Sequence, residues 1–264
     1  MSPVASAPPG CVLVGIGNTR WALTTRWATE RGQVLHFAVA DDTGFTAAVS
    51  RAWNALPPGR DRSVAVCSVN PPALAGFKSW CRESGIAPVR VVGEDLAPPI
   101  DADVLEPAKV GADRLCVAAA AFELVGGACV AADFGTAVTI DLVSDNGVLL
   151  GGTILPGMDM SARALHGQTA LLPLVEVGRA SEIPGKDTAG AIRGGIFAMM
   201  CGALREIVER YATDIGKWPP LVVTGGDGPA VAQACDFVDH LVPDLLFDGL
   251  WLACRRAACG HAND

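Results

Sequence analysis

Along the first half of the chain, short apolar runs alternate with helical spacings. Residues 11–16 are apolar and run into Gly17-Asn18-Thr19, the pattern of a strand that ends in a tight glycine turn. Residues 21–25 and 34–39 predict the next two strands of a meander; Arg20-Trp21-Ala22-Leu23 follows the turn directly, so the second strand reads as shortened. Phe45, Val49, Ala52 and Trp53 share a face at helical spacing, which predicts a helix over 46–56, stopped by Pro57-Pro58-Gly59. Residues 63–69 form a continuous apolar run, as expected of a strand covered on both faces. Asn70-Pro71-Pro72 breaks that run, and a helix over 73–84 and a strand over 89–92 follow. Residues 107–125 predict a long helix, or a turn and then a helix, with four alanines at 118–121 favouring it and Gly126-Gly127 ending it.

The second half restarts in the same style. Residues 128–134 are an apolar strand ending in a glycine turn. In the next strand, over 136–143, Val138, Ile140 and Leu142 alternate with Thr139, Asp141 and Val143; a third strand covers 148–154. Strand, glycine turn, strand, strand therefore occurs twice, from residue 11 and from residue 128, a domain-level duplication and not a solenoid period. It predicts an N-terminal lobe over 11–126 and a C-terminal lobe over 127–264. Later come helices over 191–211 and 229–234, a strand over 221–224 ended by Gly225-Gly226, and a last helix over 249–258 preceded by an Asp248-Gly249 turn. Strands alternating with helices predict an α/β layer architecture.

Composition narrows the function classes. Of 264 residues, half are hydrophobic and 18% charged, which suits a well-buried protein and argues against disorder. The net charge is −8 with no basic run, so no nucleic-acid partner is expected, and an anionic ligand needs local donors. No apolar run reaches the roughly 20 residues that span a bilayer, and the first ten residues lack the cationic start of a signal peptide. Nine cysteines without a CxxC spacing predict buried free thiols, a cytoplasmic location and no structural zinc. The four histidines, His36, His166, His240 and His261, fall in no triad or ligand spacing.

Two motifs carry candidate chemistry. Asp133-Phe134-Gly135-Thr136 puts a carboxylate at a strand end, then a glycine that permits close backbone approach, then a hydroxyl. Such a turn can cradle phosphate, with a cation between the acid and the anion; an ordinary hairpin turn has the same composition. Gly151-Gly152, Pro156-Gly157 and Thr224-Gly225-Gly226 are further strand-end glycines, more than a single hairpin requires. Gly111-Ala112-Asp113-Arg114 places an acid and an arginine at a helix start, where they can bind an anion and take a proton or form a surface ion pair. Asp187-Thr188 before a long helix reads as an N-cap.

The run DFGTAVTIDLVSDNGVLLGGTILPGMDMSARAL, with KVGADRL, VVTGG and PDLLFDGL, closely resembles the type III pantothenate kinase family, including its Bvg accessory factor branch. The resemblance covers most of 107–250 and, more loosely, the N-terminal lobe. It implies a duplicated, ribonuclease H-like fold of the actin/hexokinase type with a nucleotide cleft between the lobes. It also implies a homodimer, ATP, Mg²⁺ and a monovalent cation such as K⁺ or NH4⁺. Residue by residue, Asp113 matches the general base, and Gly111, Ala112, Asp113 and Arg114 the pantothenate turn, with Arg114 toward the substrate carboxylate. Thr188 matches a pantothenate contact made across the dimer. Gly15, Ile16, Gly17, Asn18, Thr19, Arg20 and Thr136 match the ATP loops, and Asp133 the cation ligand. Two positions depart from the pattern: Gly15 stands where the first loop carries an acid, and Val104 where a tyrosine lies against pantothenate. Three readings follow: phosphorylation of pantothenate, a catalytically impaired homologue that binds ligand or regulates as a dimer, and a kinase of another small hydroxy acid.

Overall fold

In the computed structural model, β1 (Gly10–Ile16) and β2 (Arg20–Trp27) pair antiparallel from Gly10 opposite Trp27 to Ile16 opposite Trp21. The model describes residues 10–27, 30–57, 62–178 and 183–260, the last two without side chains. Of the first ten residues, which read as a frayed tail, 1–9 lie outside the described residues, as do Pro58, Gly59, His261 and the Cys259 side chain, whereas Gly10 already belongs to β1. The strand after the first turn is not shortened: β2 has eight residues and pairs with every residue of β1. Its two arginines sit at or near the strand ends, so they do not interrupt the ladder. β3 (Glu30–Arg31) and β4 (Leu35–Ala38) extend the sheet from β2 antiparallel. β5 (Ser63–Ser68) pairs parallel with β1, and β6 (Val89–Val91) parallel with β5.

β1 is buried on both faces. Val12, Val14 and Ile16 join one apolar cluster with Phe45, Val49, Trp53 and Phe77, whereas Cys11 and Leu13 join another with Ala65, Cys67, Phe247 and Leu250. Two local devices start the flanking helices earlier than their apolar spacing suggests. α1 (Asp42–Ala55) begins where the Asp41 carboxylate accepts from the Gly44 N–H at 3.0 Å. α2 (Pro71–Glu83) begins on the very prolines expected to break the chain. Pro71 and Pro72 occupy first-turn positions, where the N–H has no helical partner, and Asn70 accepts from the Ala73 N–H at 3.2 Å.

The same strand plan returns in a second sheet. β8 (Cys129–Phe134) and β9 (Ala137–Val143) form an antiparallel pair, and β10 (Val148–Pro156) adds antiparallel to β9. β11 (Leu221–Thr224) lies parallel to β8 and β12 (His240–Leu241) parallel to β11. β7 (Asp101–Ala102), two residues that no sequence period marks, pairs parallel with β10. A one-turn 3-10 helix at Pro107–Lys109 precedes α3 (Ala112–Val125), matching the turn-then-helix alternative. α4 (Met158–Gly167) was not expected; it buries Met158, Ser161 and Ala162 on one face.

α5 (Thr188–Ile215) runs 28 residues, from the Asp187 cap to the left-handed Gly216. Tyr211 on it donates to the Ile140 carbonyl at 3.0 Å, tying the helix to β9. Tyr211→Phe leaves that carbonyl short of a donor and is expected to lower stability by about 1 kcal/mol in chemical denaturation. α6 (Gly228–Ala234) follows β11. α7 (Leu245–Gly260) starts before Asp248-Gly249, so this pair makes no turn and lies within the helix. The tertiary reason is at Gly249: a Cβ there would run into the Cys116 carbonyl and lie 2.7 Å from the Cys116 Cα. Glycine at 249 lets α7 approach α3 at backbone distance, and does not end a helix.

The chain divides into two compact units. One holds the described residues of Met1–Pro99, Ala108–Cys116 and Leu246–Asp264; the other holds Ile100–Pro107 and the described residues of Val117–Leu245. The second unit has its own core, from Phe134, Ile140, Met158, Phe197, Leu204 and Leu221. Seven of the eight described cysteines are buried and all eight are free thiols. Among the described residues no helix is long and apolar enough to cross a membrane.

Candidate functional site

Candidate residues gather at the carboxyl ends of parallel strands in each unit, where α/β sheets commonly hold ligands. In the first unit β1 ends in the turn Gly17-Asn18-Thr19. The Gly17 N–H donates to the Arg20 carbonyl at 3.1 Å, and the Val39 N–H to the Thr19 carbonyl at 3.4 Å. Asn18, Thr19 and Arg20 are exposed, whereas Gly15 and Ile16 are buried in the strand. β5 ends alongside: the Val69 N–H donates to the Ile16 carbonyl at 3.2 Å. Gly111 sits over Val69, with its Cβ position 3.8 Å from Val69 Cγ1. The structure thus brings the Gly15–Arg20 loop and the Gly111–Arg114 turn to one edge of one sheet.

Asp113 lies in the first turn of α3, and Ala112 opens that helix. Its Oδ1 accepts from the Arg114 N–H at 2.8 Å. Burial pushes the Asp113 carboxyl above its ordinary value of 3.8, against the pull of the Arg114 N–H and guanidinium. The Cys67 thiol on β5 is driven well up, first by its hydrogen bond with Cys116, then by burial and by the neighbouring Cys116 and Asp113 side chains. The surroundings of Asp113 are therefore apolar enough to hold a proton more tightly than water does. A carboxylate so placed is suited to accept one.

In the second unit β8 delivers Asp133, opposite Thr224 of β11. Three backbone hydrogen bonds hold the turn that follows: Gly135 N–H to Ala137 carbonyl at 3.2 Å, Gly157 N–H to Thr136 carbonyl at 3.1 Å, and Asp227 N–H to Phe134 carbonyl at 3.1 Å. Gly225 has φ of 90°, a left-handed conformation that favours glycine. A Cβ there would overlap Asp133 Oδ1 and come within 2.5 Å of the Phe134 carbonyl oxygen. Gly225 is thus the seat of the Asp133 carboxylate. Asp227 heads α6 with its N–H in the same turn; nothing in its sequence context marked it. Sequence reasoning also missed Ser68 and Asn70 at the end of β5, whose only signal was the strand stop before Pro71.

The other candidates are placed as follows. Thr188 is the exposed first residue of α5, beside Asp187, whose carboxylate caps the Gly190 N–H at 2.5 Å; the N-cap reading therefore holds. Val104 belongs to the second unit and packs 3.8 Å from the Cβ position of Gly151 on β10.

The donor set around Asp133 suits magnesium carried on a nucleotide. Magnesium keeps several waters and takes one or two carboxylates besides the phosphates; Asp133, seated against Gly225, offers one carboxylate at this strand end. Among the described residues no group of three or more His, Cys, Asp and Glu gathers as a self-sufficient metal cage.

The profile of the type III pantothenate kinase family matches residues 11–210. A type III pantothenate kinase of Acidiphilium cryptum is 32% identical over 239 residues, covering 90% of this chain and 88% of that one. The Listeria monocytogenes type III pantothenate kinase is 32% identical over 256 residues, covering 93% and 96%. Among solved structures, a conserved Baf family protein of Campylobacter jejuni superposes with a TM-score of 0.59 at 19% identity, over 94% of this chain and 99% of that one. Component A of the Acidaminococcus fermentans (R)-2-hydroxyglutaryl-CoA dehydratase superposes at 0.55 with 15% identity, over 95% and 99%. These likenesses show an actin/hexokinase-type fold, to which the repeated strand plan conforms. With the family profile over residues 11–210 and relatives above 30% identity along nearly the whole chain, the chain belongs to the type III pantothenate kinase family.

Proposed function

We propose that this protein transfers the γ-phosphoryl group of ATP to the primary hydroxyl of pantothenate, giving 4′-phosphopantothenate and ADP, the first step of coenzyme A synthesis. The observation that carries the reading is Asp113, a carboxylate of raised proton affinity beside the strand-end loop of β1. Kinase relatives that match nearly end to end favour turnover over a role in ligand binding alone.

Asp113 takes the hydroxyl proton as the new O–P bond forms and the bond from phosphorus to the ADP oxygen breaks. Arg114 pairs with the pantothenate carboxylate, and the Gly111-Ala112 backbone orients the substrate. Val104 offers an aliphatic surface to the substrate chain. Gly17, its N–H closed on the Arg20 carbonyl, shapes a loop whose Asn18 and Thr19 N–H groups, with the Thr136 hydroxyl and N–H, hold phosphate oxygens, and Arg20 adds a positive charge at the loop. Asp133 would hold magnesium carried on the ATP phosphates, and that ion would neutralise charge developing at the transferred group. A monovalent cation, K⁺ or NH4⁺, completes the set.

A homodimer and a cytoplasmic location belong to the same reading. The second unit leaves Ile154 65%, Leu171 91%, Leu174 57% and Met199 43% exposed, apolar side chains that a second copy would cover. In the dimer Thr188 reaches the pantothenate of the other copy.

Coupled ADP release tests the proposal: turnover is expected to require pantothenate, Mg²⁺ and K⁺ or NH4⁺ together. ADP release that ignores pantothenate would overturn it. Faster turnover of another small hydroxy acid would reassign the substrate.

A further inference from the structure

Resting on the nucleotide reading above, we infer that Gly15 and Leu246 form one packed unit that closes the end of β1, so the first unit meets the nucleotide through the Gly17–Thr19 backbone and holds no cation. The whole cation requirement then falls on Asp133.

The alternation of β1 carries the argument. Cys11 and Leu13 face an apolar wall built from Ala65, Cys67, Phe247, Leu250 and Trp251. Gly15 is the next residue on that face, so its missing side chain points at the start of α7. A Cβ at Gly15 would lie 3.0 Å from Leu246 Cδ2, 3.9 Å from Phe247 Cζ and 4.0 Å from the Ala22 carbonyl oxygen. Leu246 packs into the volume a longer side chain would need. Near Gly15 the Asp113 carboxylate acts on Cys67, the β5 residue paired with Gly15, which repels rather than partners a second carboxylate; two arginines on this face are engaged at the other end of the strand. Arg26, opposite Cys11, and Arg31 meet Asp248 at 3.7 and 3.2 Å. A carboxylate at position 15 would therefore enter an apolar wall with a leucine in its place, which is unfavourable without a partner.

The test compares wild type, Gly15→Asp, Leu246→Ala and Gly15→Asp/Leu246→Ala by thermal unfolding and by calorimetric ATP binding, with Mg²⁺ and with chelator. Gly15→Asp alone is expected to lower Tm and to leave the magnesium dependence of ATP affinity at the wild-type level. Adding Leu246→Ala is expected to recover Tm and to raise that dependence by about tenfold or more, the scale of an added metal-directed group. Gly15→Asp that folds with wild-type Tm and gains the magnesium dependence unaided would overturn the inference, as would a double variant that gains nothing. ATP binding to none of the four proteins would instead overturn the nucleotide reading, and this inference with it.

Discussion

Asp113→Asn is expected to lower kcat by about 10²–10⁴-fold, the range for loss of a positioned general base, while the protein stays folded. Two properties of the site separate this from simple damage. The carboxyl is held above 3.8 by burial, so its ionised form is disfavoured in the fold. The folded state binds the proton more tightly than the unfolded chain, and as pH rises from the unfolded value through the folded one, Asp113 subtracts stability. At neutral pH the neutral asparagine is relieved of that penalty, and the variant is expected to melt no lower than wild type. Catalysis has the opposite dependence, because only the carboxylate accepts a proton. The acid limb of the wild-type kcat/KM profile, which reports the free enzyme, is therefore expected to lie above the ordinary carboxylate value and to vanish in the residual activity of the variant. Full activity in Asp113→Asn, measured by pantothenate-dependent ADP release, would remove Asp113 from the mechanism.

Gly249→Val is expected to destabilise the first unit by about 3 kcal/mol or more, the upper range for overpacking. Any Cβ at 249 meets the Cys116 carbonyl, which is backbone and cannot swing aside. α7 must then move off α3, and Leu250, Ala253 and Cys254 lose their packing with Cys11, Leu13 and Cys116. The shift also disturbs the first turn of α3, where Asp113 sits three residues before Cys116. Gly249→Ala is expected to do the same in smaller measure. Denaturant midpoints for both variants, with kcat measured well below the transition, separate the loss of stability from the displacement of the base. A midpoint for Gly249→Val equal to wild type would mean that α7 does not approach α3 this closely.

Much of the fold is legible in local pattern. Continuous apolar runs at 11–16, 63–69 and 128–134 foretell strands covered on both faces, because burial on two sides leaves no polar alternation. The repeat of strand, glycine turn and two strands foretells the second sheet from the first. The misreadings have physical causes. Pro71 and Pro72 read as breakers but serve as a first turn, since a helix start needs no N–H there. Asp248-Gly249 reads as a turn but is helical, since its glycine answers to a neighbouring backbone and not to its own. β7, at two residues, is too short to announce itself.

The site divides in the same way. Strand-end glycines, the Asp133 turn and the Asp113-Arg114 pair were visible as residues, because phosphate loops and proton acceptors need particular side chains at particular local spacings. That Asp113 is a stronger proton acceptor than an ordinary aspartate was not visible. Its desolvation comes from elements such as β5, dozens of residues away in sequence. Nor did the chain reveal that Gly225 seats the Asp133 carboxylate, or that Leu246 faces Gly15 from a helix more than two hundred residues later. Local composition selects the chemical groups; their proton affinity, room and partners are properties of packing, which arises only between distant segments.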